Sequence, residues 1–169
     1  DVGYFPDWVN NTRTYLGTPD QATGRGTGTH SDVNVIVWSW CGQVASQTEA
    51  TMISNYLTPM NQLENDYPGI KFVYMTGHLD GTGAGGNLHA RNEQIRNYCR
   101  TNKKILYDFA DIESFDPDGQ VNYMLLKAND NCDYDSDGNG SRDKNWAVEW
   151  KNAHQVKAEW YASSTAHTQ

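Results

Sequence analysis

Three short apolar runs stand out along the chain, at residues 33–40 (VNVIVWSW), 70–76 (IKFVYMT) and 105–110 (ILYDFA). Each run is rich in β-branched and aromatic residues, and none alternates cleanly between apolar and polar positions. Strands that are buried on both faces, as in a parallel sheet, have this pattern. The three runs therefore predict three parallel strands that are covered on both sides.

The segments between these runs have the apolar spacing of helices. Residues 46–49 (SQTE) fit a capping box, and apolar residues follow at helical spacing as far as Leu63. Pro59 should kink or split this helix, because proline lacks a backbone N–H and clashes with the preceding turn. Further helices are predicted at residues 87–102 and 145–161.

The order strand, helix, strand, helix, strand is typical of an α/β fold with right-handed crossovers. We therefore expect residues 1–169 to form a single α/β domain around a mainly parallel sheet. Residues 1–31 have no clear period, and we expect them to be irregular. Residues 111–144 are rich in Asp, Asn and Gly, and we expect a long acidic loop there, at residues 129–144.

Composition limits the classes of partner. The 169 residues include 13 Lys and Arg against 21 Asp and Glu, a formal net charge of −8, which argues against binding to nucleic acid or to an anionic membrane. No apolar run approaches the ~20 residues that a membrane-spanning helix needs. Aromatic residues make up 12% of the chain, which excludes disorder. The acidic composition, rich in Asn, Gly, Thr, Trp and Tyr, predicts an extracellular or cell-surface protein.

The chain has an odd number of cysteines: Cys41, Cys99 and Cys132. At least one thiol therefore has no partner within the chain. If a disulfide forms, we expect it to join Cys99 and Cys132. Cys41 ends the first apolar run, where it is either a small packing residue, the commoner role, or a thiol activated by a helix N-terminus.

Polar side chains follow each predicted strand. Ligands of an open parallel sheet bind beyond the carboxyl ends of its strands, so these side chains should share one rim. A histidine beside carboxylates can act as a general base, although His78 could instead only brace its loop. The glycine-rich residues 81–86 lack the spacing of a phosphate-binding motif and are expected to give access to the rim. The rim residues are Gln43, His78, Asp80, Asp111 and Glu113.

The acidic loop has the spacing of a calcium-binding loop. Oxygen ligands at positions 1, 3 and 5, a glycine at position 6 and a carbonyl at position 7 suit a hard cation such as Ca²⁺. Lys144 occupies position 12, where an EF-hand has glutamate, and Asp143 would substitute for it. The alternative is a solvated acidic turn. The predicted ligands of a structural calcium ion are Asp133, Asp135, Asp137, Asn139 and Asp143.

Four segments resemble, in this order, the SGNH/GDSL-type hydrolase-like domains of secreted microbial proteins. They are DVNVIVWSWCGQ, YPGIKFVYMTGHLDGTG, NLHARNEQIRNYC and ILYDFADIESFDPDG. The resemblance implies a flavodoxin-like fold with three layers, α/β/α. It also implies a serine esterase or deacetylase that acts on acyl or acetyl esters, including esters of carbohydrates.

The resemblance assigns roles to particular residues. Gly42 and Gln43 match the segment that helps to hold the oxyanion, with Gln43 in place of the usual asparagine. His167 resembles the C-terminal catalytic base of the family. Ser164 stands where the family has the aspartate that orients this base. We expect His78 and Asp80 to complete the candidate catalytic residues.

The family's nucleophilic serine has no counterpart in residues 1–32. One interpretation is that the central strand and its serine precede Asp1 in a longer precursor. The sheet would then be incomplete at its N-terminal side, and self-association or a partner segment would complete it. The other interpretation is a non-catalytic extracellular module that binds calcium and carbohydrate or builds a surface assembly.

Overall fold

A computed structural model describes residues 3–154 of the chain. The chain forms two compact units, each described by itself below. The first unit comprises Asp1–Ser39, Gln47–Met75 and Gln94–Tyr107, and the second comprises Trp40–Ser46, Thr76–Glu93 and Asp108–Gln169. Within residues 3–154, none of the helices has the length and apolar character needed to cross a membrane.

The first unit contains the parallel sheet and most of the helices. Its elements are α1 (Asp7–Leu16), β1 (Val35–Trp38), α2 (Glu49–Met52), a π-helical turn (Ile53–Leu57), α3 (Thr58–Asp66), β2 (Lys71–Met75), the second half of α4 (Asn87–Asn102) and β3 (Ile105–Tyr107).

The second unit consists mainly of loops and short elements. Its elements are a 3₁₀ helix (Gly42–Ser46), a second 3₁₀ helix (Gly83–Gly85), the first half of α4, α5 (Phe109–Ser114), a third 3₁₀ helix (Tyr123–Leu126), β4 (Asp133–Tyr134), β5 (Lys144–Asn145) and α6 (Trp146–Ala153). The helix predicted for residues 145–161 thus begins as expected but is shorter than predicted, because it ends at Ala153 and His154 has extended backbone (φ −123°, ψ 157°). Residues 155–161 lie outside the described residues.

The three strands are parallel and lie in the order β1-β2-β3, which confirms an α/β fold with a parallel sheet. Val37 pairs with Val73, and Val73 pairs with Ile105. The third strand is shorter than predicted, because the chain leaves the sheet at Asp108 and Phe109 begins α5.

Within residues 3–154, one face of this sheet is buried and the other is largely exposed. Trp38, Phe72 and Tyr74 are buried, whereas Val35 and Val37 on the opposite face are 51% and 53% exposed. The prediction of burial on both faces was wrong for the first unit. Right-handed crossovers that add strands in sequence order place successive helices on the same face of a sheet, so the described residues of this unit form two layers.

Aromatic side chains form the centre of the first unit. Trp8 stacks on Trp38 with ring centroids 4.0 Å apart. The buried hydroxyl of Tyr56 donates a hydrogen bond to the Trp38 carbonyl (3.0 Å) and accepts one from the Met75 N–H (2.9 Å). The core therefore binds the helical segment to both β1 and β2.

Pro59 is accommodated as predicted, since the helix divides just before it. A π-helical turn ends at Leu57, and Pro59 lies in the first turn of α3. Proline has no N–H for the carbonyl four residues earlier, and that carbonyl, of Asn55, accepts a hydrogen bond from Trp8 Nε1 at 3.1 Å. Because Pro59 cannot donate a hydrogen bond to the Asn55 carbonyl, this carbonyl can accept one from Trp8 of α1.

Two local predictions were wrong. The capping box is formed by Thr48 and Thr51 and not by residues 46–49, because the chain forms a 3₁₀ helix through Ser46 and enters α2 only at Glu49. Residues 1–31 were expected to be irregular, but residues 7–16 form α1. Burial of Trp8 and Leu16, eight positions apart, stabilises this otherwise polar helix.

The predicted disulfide is also wrong. Cys41, Cys99 and Cys132 are all thiols. Cys99 is buried in α4 within the first unit, whereas Cys132 belongs to the core of the second unit. That second core contains Leu79, Ala110, Tyr123, Ala128, Cys132, Tyr134 and Trp146.

Candidate functional site

The loops that follow β1 and β2 bring a cysteine and a histidine together in the second unit. Cys41 is exposed, and its Sγ lies 3.2 Å from Nε2 of His78. Cys41 is followed directly by the 3₁₀ helix Gly42–Ser46. A thiol within hydrogen-bond reach of an imidazole is the arrangement that activates a cysteine nucleophile.

The other nitrogen of His78 determines the tautomer of the ring. Nδ1 lies 3.2 Å from the Leu79 carbonyl oxygen. Because a carbonyl can only accept a hydrogen bond, Nδ1 carries the proton in the neutral ring. Nε2 therefore presents its lone pair to the Cys41 thiol, as a general base requires.

A carboxylate lies on the same side of the ring as the proton. Asp130 Oδ2 is 3.8 Å from His78 Nδ1, and both side chains are about one-fifth exposed. A carboxylate at this distance stabilises the imidazolium that forms when His78 takes a proton. Cys41, His78 and Asp130 thus lie in the order of a nucleophile, a base and a carboxylate that stabilises the charged base, while the Leu79 carbonyl orients the ring.

The turn at residues 129–133 holds Asp130 in place. The Asn129 side chain accepts hydrogen bonds from the N–H groups of Asn131 and Asp133 (3.1 and 3.0 Å). Asn129 also forms an antiparallel bridge with Asp80, two residues after His78. The bridge aligns the histidine loop with the aspartate turn.

Buried polar groups fix the histidine loop from the inside. The Asn92 side chain of α4 accepts a hydrogen bond from the Gly77 N–H and donates one to its carbonyl, both at 2.9 Å. The buried Glu113 carboxylate accepts a hydrogen bond from the Leu79 N–H at 2.6 Å. A side chain at position 77 would meet Val44 at 2.9 Å, so only glycine fits there. These contacts hold the backbone on both sides of His78.

The other predicted rim residues have different surroundings. Asp80 accepts two hydrogen bonds from Thr82, from its N–H (2.9 Å) and its hydroxyl (2.6 Å), and so closes a turn. Gly42 and Gln43 lie in the 3₁₀ helix next to Cys41. Asp111 is exposed on α5. His167 and Ser164 lie outside the described residues.

The acidic loop includes the connection between β4 and β5, and its carboxylates Asp135 and Asp143 accept hydrogen bonds from other residues of the same loop. Asp135 accepts hydrogen bonds from the N–H groups of Gly140 and Gly138 (both 2.8 Å), which lower the pKa of its carboxyl. Asp143 accepts hydrogen bonds from the N–H and hydroxyl of Ser136, and these lower its pKa in the same way.

The remaining predicted calcium ligands have partners of the same kind. Asp137 accepts hydrogen bonds from the N–H and side chain of Asn139, and Asp133 accepts one from the Asn145 side chain. No group of three or more His, Cys, Asp or Glu side chains suited to a metal ion is found in the part of the chain that the structure describes. Calcium binding here stays a prediction.

Sequence reasoning missed two residues of this site: Cys41, which was expected mainly as a packing residue but is exposed, and Asp130. Asp130 lies in a polar run, Asn129-Asp130-Asn131, which has the composition of an ordinary turn. The turn itself could have been predicted from these residues. Its position beside His78 depends on the bridge between Asp80 and Asn129, for which the sequence has no periodic signal.

Comparison with known proteins identifies no family for this chain. No protein-family model, no curated protein and no solved structure shows significant similarity to this chain.

Proposed function

We propose that this protein hydrolyses acyl esters with Cys41 as the nucleophile, His78 as the general base and Asp130 as the carboxylate that stabilises the charged form of the base. The observation that carries the proposal is the 3.2 Å contact between Cys41 Sγ and His78 Nε2 in a ring whose Nδ1 faces a carbonyl. The exposure of Cys41 supports it as well, since a nucleophile must be reached by substrate.

The reaction has two steps. The Cys41 thiol gives its proton to Nε2 of His78 while its sulfur bonds to the ester carbonyl carbon, and the alcohol leaves with the proton held by His78. Water then gives a proton to Nε2 and attacks the thioester. The C–S bond breaks, the acid leaves and the thiol recovers the proton from His78. Ester and water thus become acid and alcohol.

Gly42 is suited to stabilise the oxyanion that forms in each step. Its backbone N–H follows the nucleophile directly, which is the position of one oxyanion donor in other hydrolases with a nucleophile between a strand and a helix. A Cβ built on Gly42 meets no atom within 4 Å. This open space lets a substrate carbonyl approach the backbone.

The SGNH-like serine esterase remains a second proposal for the same class of reaction. It would use His167 as the base and Gly42 and Gln43 at the oxyanion, in a flavodoxin-like fold of three layers in which a further layer covers the face of the sheet that the described residues leave open. The open apolar face of the sheet, with Val35 and Val37 half exposed, supports it, because parallel sheets are normally covered on both faces. Carbohydrate esters as substrates and an extracellular location belong to this proposal.

Hydrolysis of p-nitrophenyl acetate by the full chain and its variants tests the Cys41 proposal. We expect Cys41→Ala and His78→Ala each to lower kcat/KM by about 10²–10⁴. His89→Ala is the matched control, since His89 lies on α4 in the same unit and has no place in the proposed chemistry. Turnover that persists in Cys41→Ala would contradict the proposal and favour the serine mechanism.

A further inference from the structure

A cavity of about 330 Å³ lies within the second unit. This volume is at the lower end of the range for small-molecule sites, roughly 300–1,000 Å³. It is suited to one polar group of a ligand with a few carbon atoms. The lining residues are Gly81, Thr82, Lys127, Asp135, Gly140 and Arg142.

Arg142 is fixed in the wall of this cavity. Its Nε donates a hydrogen bond to the Lys127 carbonyl and its Nη2 donates one to the Gly81 carbonyl, both at 2.9 Å. These two contacts use two of the five N–H donors of the guanidinium group. Because neutral carbonyls are its acceptors, the positive charge of Arg142 is not neutralised by them.

The charges of the lining favour an anion. Lys127 and Arg142 contribute two positive charges, and Asp135 contributes the one negative charge. The Asp135 oxygens already accept the N–H groups of Gly140 and Gly138, which offset part of its charge. The positive charge of Lys127 also lowers the pKa of Asp135, so the lining as a whole has one net positive charge. Two cations around one cavity are notable in a chain with a net charge of −8.

The backbone connects this cavity to the candidate catalytic site. In the antiparallel bridge, Asp80 lies opposite Asn129. On one side of the bridge are His78 and Asp130, and on the other side are Thr82 and Lys127, both of which line the cavity. Four residues separate His78 from Thr82 and three separate Asp130 from Lys127, and both segments contain turns. Because even a fully extended chain spans at most ~3.5 Å per residue, each separation is at most on the order of 10–14 Å, so a substrate of modest length could reach both places.

We propose that the cavity binds a carboxylate of the substrate, and that the preferred esters carry this carboxylate on the order of 10 Å from the reacting carbonyl. This inference rests on the proposed ester hydrolysis at Cys41. Lys127 and Arg142 would recognise the carboxylate through charge-assisted hydrogen bonds. Lys127 is a specificity residue in this scheme, because it contacts the distant carboxylate and not the reacting atoms.

A pair of esters of equal carbon number tests the preference. The mono-p-nitrophenyl ester of suberic acid has a terminal carboxylate, whereas p-nitrophenyl octanoate ends in a methyl group. We expect Lys127→Gln to raise KM for the suberate ester about three- to tenfold without changing kcat, and to leave both constants for octanoate unchanged.

Lys103→Gln is a closely matched control. Lys103 and Lys127 are both exposed lysines with left-handed backbone, at φ 53° and 57°. Equal KM values for the two esters in the wild-type protein would overturn the anionic subsite and leave the chemistry of Cys41 standing. An equal rise of KM in Lys103→Gln would overturn it too.

Direct binding separates this inference from the proposed function. Titration of suberate into Cys41→Ala, followed by calorimetry, should show saturable binding that weakens in Cys41→Ala/Lys127→Gln and not in Cys41→Ala/Lys103→Gln. Such binding in a protein whose wild type hydrolyses neither ester would support the subsite and overturn the hydrolase. The proposed carboxylate subsite would be overturned if suberate showed no saturable binding. It would also be overturned if suberate bound equally well to Cys41→Ala and Cys41→Ala/Lys127→Gln.

Discussion

The two units of this protein differ in the interactions that stabilise each of them. In the first unit the largest buried side chains are aromatic and aliphatic, with Trp8, Tyr56 and Tyr74 at most 1% exposed. In the second unit, single polar side chains hold individual loops. Asn92 binds the backbone of Gly77, and Glu113 binds that of Leu79.

Apolar burial and hydrogen bonds to the backbone have different effects on a structure. Burial of apolar surface is strong but has little directional preference. A hydrogen bond to a backbone group contributes less net free energy, yet it fixes the position of particular atoms and is costly to remove when buried. The unit that contains Cys41 and His78 has its own apolar core and uses such hydrogen bonds, from Asn92 and Glu113, to fix the loop on both sides of His78.

Substitution of Trp8 should have the largest effect on stability. Trp8→Ala removes a fully buried ring, its stacking on Trp38 and its hydrogen bond to the Asn55 carbonyl. We expect the free energy of unfolding to fall by about 3–5 kcal/mol, measured by denaturant titration. Tyr15→Ala, at a side chain 48% exposed in the same helix, is the control and should cost far less. Similar losses in both variants would show that aromatic burial does not dominate this unit.

Asn92 tests the second unit in the same way. Asn92→Ala leaves the buried N–H and carbonyl of Gly77 without their partner. We expect a loss of about 2–3 kcal/mol in the free energy of unfolding, together with a fall in the proposed esterase activity as the backbone beside His78 loosens. Asn97→Ala, on the exposed side of α4, should change neither quantity. Full activity in Asn92→Ala would show that the hydrogen bonds between Asn92 and Gly77 are not needed for the proposed reaction.

The acidic loop should lose its stabilisation in acid. The N–H groups of Gly140 and Gly138 lower the pKa of Asp135 in the folded protein. Its contribution is therefore complete above the unfolded pKa of about 3.9 and is lost as the pH falls through the lowered folded value. We expect the difference in Tm between wild type and Asp135→Asn to be largest near neutral pH and to vanish in strong acid. Asp118→Asn is the exposed control. A difference that does not depend on pH would contradict the role of the charged carboxylate.

The predicted calcium site should have the smallest effect. If the loop binds Ca²⁺, addition of calcium to metal-free protein should raise Tm by about 2–4 °C, and a chelator should reverse the rise. Asp137→Asn should reduce the shift, whereas Asp118→Asn should leave it intact. An unchanged Tm in calcium would identify an ordinary acidic turn, in agreement with the hydrogen bonds that Asp135 and Asp143 already make.

The sequence predicted the frame better than the site. The three runs identified the strands because β-branched and aromatic residues favour strands, and the helical patterns between them indicated parallel pairing. Helix α1 was missed, since only Trp8 and Leu16 of its residues are buried and the polar residues between them hide the period. The open face of the sheet was missed because Val35 and Val37 have the composition of buried residues.

The sequence predicted candidate site residues whose place follows from their position along the chain. It missed those whose place depends on contacts between distant segments. His78 was identified because it follows a parallel strand. Asp130 was not, because its approach to His78 depends on how the turn at residues 129–133 folds against the histidine loop. The disulfide between Cys99 and Cys132 failed for the same reason, since spacing along the chain does not encode distance in space.

Identification of the covalent intermediate tests the central claim most directly. Wild-type protein and His78→Ala are mixed briefly with p-nitrophenyl acetate, quenched in acid, digested and examined by mass spectrometry. We predict an acetyl group on Cys41 in the wild type, formed much more slowly in His78→Ala, with Cys99 and Cys132 unmodified because both are buried. An unmodified Cys41 during turnover, or an acetyl group on a serine, would contradict the assignment of Cys41 as the nucleophile.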